Sequence, residues 1–235
     1  MSSPLAMLNW IPAWRLVASR FPPVGLFDRV TQAADLETVF TIESLTNARL
    51  RQETGELTLV AAEDRVSGPG TTPIMAAFTH LNGAGSRFTD GSYGVYYAAH
   101  GIDTAIVETA YHRARFLAAT SEAPIEFDMR SYAADIVAEF HDIRGTCASR
   151  AALYAADPNA YGAAQDFARG LRANGSNGIT YDSVRDPGGE CVAVFKPRLI
   201  APVQQGPHYC YVWDGARIAD IYIKTAYRRA KSTPL

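Results

Sequence analysis

The stretch Gly85–Arg113 reads GSRFTDGSYGVYYAAHGIDTAIVETAYHR and predicts a turn, a strand and a helix in immediate succession. Glycines on both sides of Arg87 mark tight turns. VYYAA then alternates as a strand does, and Asp103 suits the N-cap of a helix over 104–117. A cation, paired aromatic rings and the carboxylate of Glu108 thus lie close together. They are either ordinary surface and core residues or one half of a nucleotide pocket.

Outside this stretch, helical and strand patterns do not alternate regularly. Helical patterns cover 35–50, 128–140 and 158–173, a strand pattern covers 55–62, and 73–81 fits either element. Two strand pairs flank the turn sequences DPGG and DGA near the C-terminus. The order predicts an α+β fold with a mixed, mostly antiparallel sheet flanked by helices. No linker divides the chain, so we expect one domain over 1–235.

Composition excludes several classes of protein. The 235-residue chain has a formal net charge of -2, which gives no global basic field for direct nucleic-acid binding. Its three cysteines are dispersed and no Cys or His spacing suggests a metal site. No apolar run approaches the roughly 18 residues of a membrane span, and the apolar start lacks the basic region of a signal peptide. We therefore expect a cytoplasmic protein without a metal site or membrane association.

Two charged residues of the opening stretch have both an ordinary and a functional interpretation. Arg87 among glycines is either a solvent-exposed turn residue or a guanidinium that meets a phosphate. Glu108 either forms a surface pair with His112 one helical turn on, or lines a pocket. In a pocket, its carboxylate would bind ribose hydroxyls and stabilise positive charge during glycosidic cleavage.

Three further positions have similar alternatives. Adjacent Tyr96 and Tyr97 point to opposite faces of a strand, so one ring belongs to the core and the other can meet a ligand. Ser183 precedes a tight turn, where serine commonly caps the backbone, and it is not in a Gly-x-Ser-x-Gly elbow. Arg15 would most simply be a solvent-exposed arginine.

Four segments, in this order, resemble the RES domain family. They are WRLVASRF (14–21), GSRFTDGSYGVYYAA (85–99), DTAIVETAYHR (103–113) and ITYDSVRDPGGECVAVF (179–195). The resemblance implies a fold similar to that of ADP-ribosyltransferase toxins. It also implies the toxin of a bacterial toxin–antitoxin pair, which degrades NAD and is covered by an Xre-like antitoxin.

The resemblance also implies an activity. NAD would be the substrate rather than a permanently bound cofactor, and inorganic phosphate would be the acceptor in an NAD phosphorylase reaction. The alternatives are an NAD glycohydrolase, a protein ADP-ribosyltransferase, and a non-catalytic nucleotide-binding or interaction module. The assembly would be a homodimer or a hetero-oligomer with the antitoxin.

Carried over by position, the resemblance assigns five site residues. Glu108, Arg15 and Ser183 would be catalytic, and Arg15, Arg87, Tyr97, Glu108 and Ser183 would bind NAD, with Tyr96 replacing Tyr97 if the register is shifted by one.

The chain also departs from the family pattern. Phe88 stands where tryptophan is usual, and Leu16 where some members have tyrosine. A helical segment near 30–60 is an insertion into the single RES-type domain.

Overall fold

The computed structural model describes residues 3–19 and 56–226. Within this part, seven strands and three α-helices make an α+β fold with a mostly antiparallel sheet, as predicted. The strands are β1 (Leu5–Ala18), β2 (Tyr96–Ala99), β3 (Ile125–Asp142), β4 (Gly178–Asp182), β5 (Glu190–Val194), β6 (Gln204–Trp213) and β7 (Ile218–Lys224). The helices are α1 (Thr72–Thr79), α2 (Ile102–Ala119) and α3 (Gly162–Ala173). The likeness to ADP-ribosyltransferase toxins stays a prediction.

The sheet closes on itself through β1. Its strand order is β1-β2-β5-β4-β3-β6-β7, and β1 also pairs with β3. The β1–β3 ladder runs from Leu5↔His141 to Ala18↔Met129, whereas β1 meets β2 at Trp14↔Ala99. The first five strands of that order therefore form a ring, and β6 and β7 extend from β3. Among the described strands, only β3 and β4 pair in parallel.

Two apolar clusters fill the two faces of the sheet. Alternate residues of β5 divide between them, as the side-chain period of a strand requires. Val192 and Val194 belong to the cluster that contains residues of α1. Cys191 and Ala193 belong to the cluster that contains residues of α2 and α3. This division decides which side chains of the strands can reach α2.

The predicted helix over 128–140 is wrong, because these residues lie inside strand β3. Its alanines favour a helix in isolation. However, Tyr132, Ala134 and Ile136 are all buried, and they lie at alternate positions, which is the period of a strand. Since β3 pairs with β1 on one edge and with β4 and β6 on the other, sheet pairing overrides the local preference.

Two smaller predictions are also wrong. The described part of 55–62 forms 3-10 turns at Leu57–Leu59 and Ala62–Asp64 instead of a strand. Its apolar side chains pack near α1, so they are buried without strand pairing. Asp103 does not cap α2, whose N-cap is Gly101. Asp103 instead lies in the first turn, where a negative charge suits the helix dipole.

Several other predictions are confirmed. The strand pairs around DPGG and DGA are β4–β5 and β6–β7. The pattern over 158–173 is a 3-10 turn followed by α3, and the ambiguous 73–81 segment is mostly α1. Residues 5–18, for which the sequence pattern predicts no element, form β1. The predicted helix over 35–50 lies outside the described residues, and none of the helices described is long and apolar enough to cross a membrane.

Candidate active site

A cleft of about 580 Å3 opens between β1, β2 and one face of α2. The loop 82–87 and the segment 158–161 complete its walls. Tyr181 and Cys191, members of the apolar cluster next to α2 and α3, also line it. The cleft therefore lies on the α2 side of the sheet.

Helix α2 contributes a stripe of side chains to the cleft. Ala105, Glu108, Thr109, His112 and Phe116 all line it. They recur at spacings of three and four residues, so they lie on one face of the helix. Arg113 and Arg115 also line the cleft near the C-terminal end of α2, so this end of the helix contributes positive charge to it.

Glu108 and Ser183 are joined by a short hydrogen bond. Ser183 Oγ donates to Glu108 Oε1 at 2.6 Å. The Glu108 side chain is 23% exposed, so the carboxylate is largely enclosed yet still reachable from the cleft. Its second oxygen, Oε2, lies 3.9 Å from Nε2 of His112, another cleft residue. The carboxylate is thus fixed through one oxygen.

Ser183 also caps the turn that follows β4. Its Oγ accepts hydrogen bonds from the backbone N–H groups of Arg185 at 3.1 Å and Asp186 at 2.9 Å. Thr104 Oγ1, at the start of α2, donates to Asp186 Oδ2 at 2.6 Å. Both interpretations of Ser183 therefore apply, since it caps a turn and orients Glu108. Two hydrogen bonds tie this turn to α2.

The two adjacent tyrosines lie in different environments. Tyr96 is 1% exposed and belongs to the apolar cluster next to α1. Burial raises its pKa to about 12. Tyr97 lines the cleft, and its hydroxyl shares a hydrogen bond of 2.7 Å with Ser86 Oγ and accepts one of 3.0 Å from Phe88 N. Tyr97 therefore both forms a cleft wall and fixes the turn that carries Arg87.

Arg87 is buried, so its interpretation as a solvent-exposed turn residue is wrong. Its Nη1 donates to the carbonyl oxygens of Leu153 and Ala155, each at 3.0 Å, and its guanidinium lies 4.6 Å from the ring centre of Tyr161. Because a guanidinium has five donors, these contacts fix Arg87 at the cleft wall without using all of its hydrogen-bonding capacity.

Arg15 is not a simple solvent-exposed residue either. Its Nη1 donates to the Tyr97 carbonyl at 3.0 Å, and its guanidinium lies 4.6 Å from the ring centre of Tyr96. Burial lowers the pKa of Arg15. Its Nε is buried, and no partner is described for it in residues 3–19 and 56–226. Since Arg15 also lines the cleft, a bound ligand can supply the missing acceptor.

Arg185, the arginine nearest to Ser183 in sequence, does not line the cleft. Its guanidinium stacks on the Tyr111 ring with the centre 3.5 Å away, and its Nη2 donates to the carbonyl of Ala156. Arg113 and Arg115 do line the cleft. Arg115 follows Glu108 by seven residues, or two helical turns, and this spacing is the sequence signal that could have identified it.

The charge of the cleft is strongly asymmetric. Among its described lining residues, Glu108 is the one acid, whereas four arginines line the walls: Arg15, Arg87, Arg113 and Arg115. Partial burial of the His112 ring, together with nearby arginines, lowers its pKa to about 4, so the ring is neutral near pH 7. No group of three His, Cys, Asp or Glu residues in the described ranges could hold a metal ion. The cleft therefore suits an anionic organic ligand.

Fold and site together define an α+β protein in which a serine-held carboxylate lies in an arginine-lined cleft. Residues 62–214 match the RES domain model, and the chain belongs to the RES domain family. It is also 32% identical over 214 residues to uncharacterized protein y4oC of Sinorhizobium fredii (strain NBRC 101917 / NGR234). That alignment covers 89% of this chain and 86% of the relative. The family match includes Glu108 and Ser183, whereas Arg15 precedes it.

Proposed function

We propose that this protein consumes NAD by cleaving the nicotinamide–ribose bond, with inorganic phosphate as the acceptor. One observation carries the proposal: the Ser183–Glu108 hydrogen bond of 2.6 Å holds a carboxylate in a cleft otherwise rich in arginine. NAD matches this polarity, because it has an anionic pyrophosphate at its centre and a cationic ring at one end. Membership of the RES domain family supports the same substrate.

Glu108 would supply the electrostatic stabilisation that glycosidic cleavage needs. As the C–N bond breaks, its electron pair leaves with nicotinamide, and positive charge develops on the ribose ring. A carboxylate held beside that ring stabilises this charge and orients the ribose hydroxyls. Ser183 occupies Oε1, which leaves Oε2 to face the substrate. A phosphate oxygen then forms the new C–O bond, and ADP-ribose phosphate is released.

The arginines would bind the anionic groups of substrate and acceptor. Guanidinium groups suit phosphates because they offer paired N–H donors in one plane. Arg113 and Arg115 lie on the same helix as Glu108, one to two turns further along, and both line the cleft. Arg15 and Arg87 line other walls of the cleft. Tyr97 contributes an aromatic wall for a flat ring.

The test is NAD loss by the purified full-length protein, with and without phosphate, alongside Glu108→Gln. Glu122→Gln is the matched control, since Glu122 is exposed just beyond the end of α2. We expect NAD loss that phosphate accelerates, with ADP-ribose phosphate as a product, and we expect it to disappear in Glu108→Gln and to persist in the control. ADP-ribose as the sole product in the presence of phosphate would indicate a glycohydrolase, and a labelled protein would indicate an ADP-ribosyltransferase. Intact NAD under all conditions would leave a non-catalytic nucleotide-binding module.

The biological role follows from the same proposal. An enzyme that degrades NAD in the cytoplasm is toxic, and an Xre-like antitoxin would prevent this by covering the cleft. We expect expression in a bacterium to lower cellular NAD and arrest growth, and Glu108→Gln to do neither. Co-expression of an Xre-like protein from the neighbouring gene should restore growth. Growth arrest that persists in Glu108→Gln with unchanged NAD would contradict this role.

A further inference from the structure

His112 has no part in phosphorolysis as described above, yet it lies beside the proposed reaction centre. It lines the cleft one helical turn after Glu108. Its Nε2 is 3.9 Å from Glu108 Oε2, which is too far for a hydrogen bond. A molecule next to Oε2 is therefore also within reach of Nε2. The side chain is 52% exposed, so solvent reaches the ring.

We infer that His112 accepts the proton of a protic acceptor, and that the protein therefore hydrolyses NAD in addition to using phosphate. The inference rests on the proposed NAD cleavage. In this step, the nicotinamide–ribose bond breaks and its electron pair leaves with nicotinamide. The oxygen of water forms the new bond to the ribose carbon, and one water proton moves to His112 Nε2. Deprotonation of His112 by solvent then completes the cycle, with ADP-ribose as product.

The two acceptors differ in their need for a base. A phosphate oxygen already carries negative charge and loses no proton when it attacks. Water must lose a proton, and a positioned base accelerates such a step by about 100-fold to 10,000-fold. A base beside Glu108 therefore accelerates hydrolysis and has little effect on phosphorolysis.

The charges around His112 keep its ring available as a base. The groups that face it are Glu108, Arg113 and Arg115 on α2, Arg87 in the loop before β2, and Arg185 in the turn after β4. Partial burial of the ring, together with these arginines, favours the neutral imidazole, which has a lone pair to accept a proton. An anionic substrate that neutralises the arginines raises the pKa of His112 and makes it a stronger base.

The experiment measures the ratio of ADP-ribose to ADP-ribose phosphate formed from NAD in one phosphate-containing reaction. This ratio does not depend on how much of the protein is active. We expect His112→Gln to lower it about tenfold or more, because hydrolysis loses its base. The matched control is His100→Gln, since His100 is exposed and stacks on Trp10 outside the cleft. The control should leave the ratio unchanged.

A second measurement uses the wild-type protein alone, and so does not depend on whether the variant folds. Hydrolysis includes a proton transfer and phosphorolysis does not, so the product ratio should fall in D2O. An unchanged ratio in both His112→Gln and D2O overturns the inference, as does a wild-type reaction that forms no ADP-ribose. In these cases phosphate-dependent NAD loss that requires Glu108 leaves the proposed function intact. Wild-type protein that consumes no NAD refutes both.

Discussion

At the residue scale, the hydroxyl of Ser183 connects Glu108 to the backbone of a turn. It donates to Glu108 and accepts from two backbone N–H groups of the turn after β4. Tyr97 has a comparable role in the wall of the cleft, through Ser86 and Phe88. In both cases a side chain predicted to meet the ligand also supports the residue beside it. Its replacement would therefore change both the ligand contact and the position of that neighbouring residue.

We expect Ser183→Ala to lower kcat/KM for NAD about tenfold to 100-fold, because a hydrogen bond to a charged group contributes roughly 1.5–3 kcal/mol. The carboxylate of Glu108 remains but loses its fixed orientation. Steady-state NAD turnover measures the effect, and Ser149→Ala is the control, since Ser149 is exposed and bonds to a local carbonyl. Wild-type turnover by folded Ser183→Ala would contradict this role.

We expect Tyr97→Phe to lower the free energy of unfolding by about 1–2 kcal/mol, because Ser86 Oγ and Phe88 N lose a hydrogen-bond partner. Burial raises the pKa of Tyr97, so the hydroxyl stays protonated and can keep both bonds. Urea unfolding measures the change. Tyr222→Phe is the control, because Tyr222 is 56% exposed. Equal stability of the two variants would show that the turn does not depend on Tyr97.

At the element scale, the site depends on how α2 meets the turn between β4 and β5. Glu108 and Thr104 come from α2, and Ser183 and Asp186 come from the turn. Gly189, in the same turn, lies against the Thr104–Asp186 contact. A Cβ there would lie 2.5 Å from Thr104 Oγ1 and 2.7 Å from Asp186 Oδ2. The absence of a side chain at Gly189 therefore permits the Thr104–Asp186 hydrogen bond, one of the two that tie this turn to α2.

Gly189→Ala should destabilise the protein by about 1–3 kcal/mol, the range typical of overpacking, and should also lower NAD turnover. Thermal unfolding and turnover together test this. Gly170→Ala is the control, since no atom lies within 4 Å of a Cβ at this exposed position in α3. We expect the control to be neutral or stabilising by about 0.5–1 kcal/mol, because alanine favours a helix. Unaltered stability and turnover in Gly189→Ala would refute the close contact.

At the scale of the whole molecule, the charge of the cleft opposes the charge of the chain. The formal net charge is -2, yet arginines dominate the lining of the cleft among the described residues. The attraction of an anionic substrate is therefore local. Salt screens such attraction, since the Debye length falls from about 30 Å at 0.01 M to about 3 Å at 1 M.

Raising the ionic strength over this range should increase KM for NAD about threefold or more. Arg115→Gln should reduce this salt dependence, because Arg115 is an exposed arginine of the cleft. Arg217→Gln, at a position 79% exposed and outside the cleft, is the control. A KM that does not change with salt would show that the arginines do not attract the substrate.

The sequence predicted the parts of the fold that depend on near neighbours. The turn sequences DPGG and DGA fix the β4–β5 and β6–β7 hairpins through a few consecutive residues. The period of α2 is likewise local, and it placed Glu108 on a helix. The α+β class followed from the order of such elements. The family resemblance was also available from short segments, and the match over 62–214 agrees with it.

Tertiary structure alone decided what depends on distant partners. β3 is a strand because β1, more than 100 residues earlier, pairs with it from Leu5↔His141 onward. The same closure of the sheet sets three features of the site. It buries Arg87 and partly encloses Arg15. It gives Tyr96 and Tyr97 different environments, and it places His112 beside Glu108 in a cleft. Periodicity and turn chemistry depend on residues a few positions apart. The burial of a side chain and the charges around it depend on residues that are distant in the sequence and meet only in the folded chain.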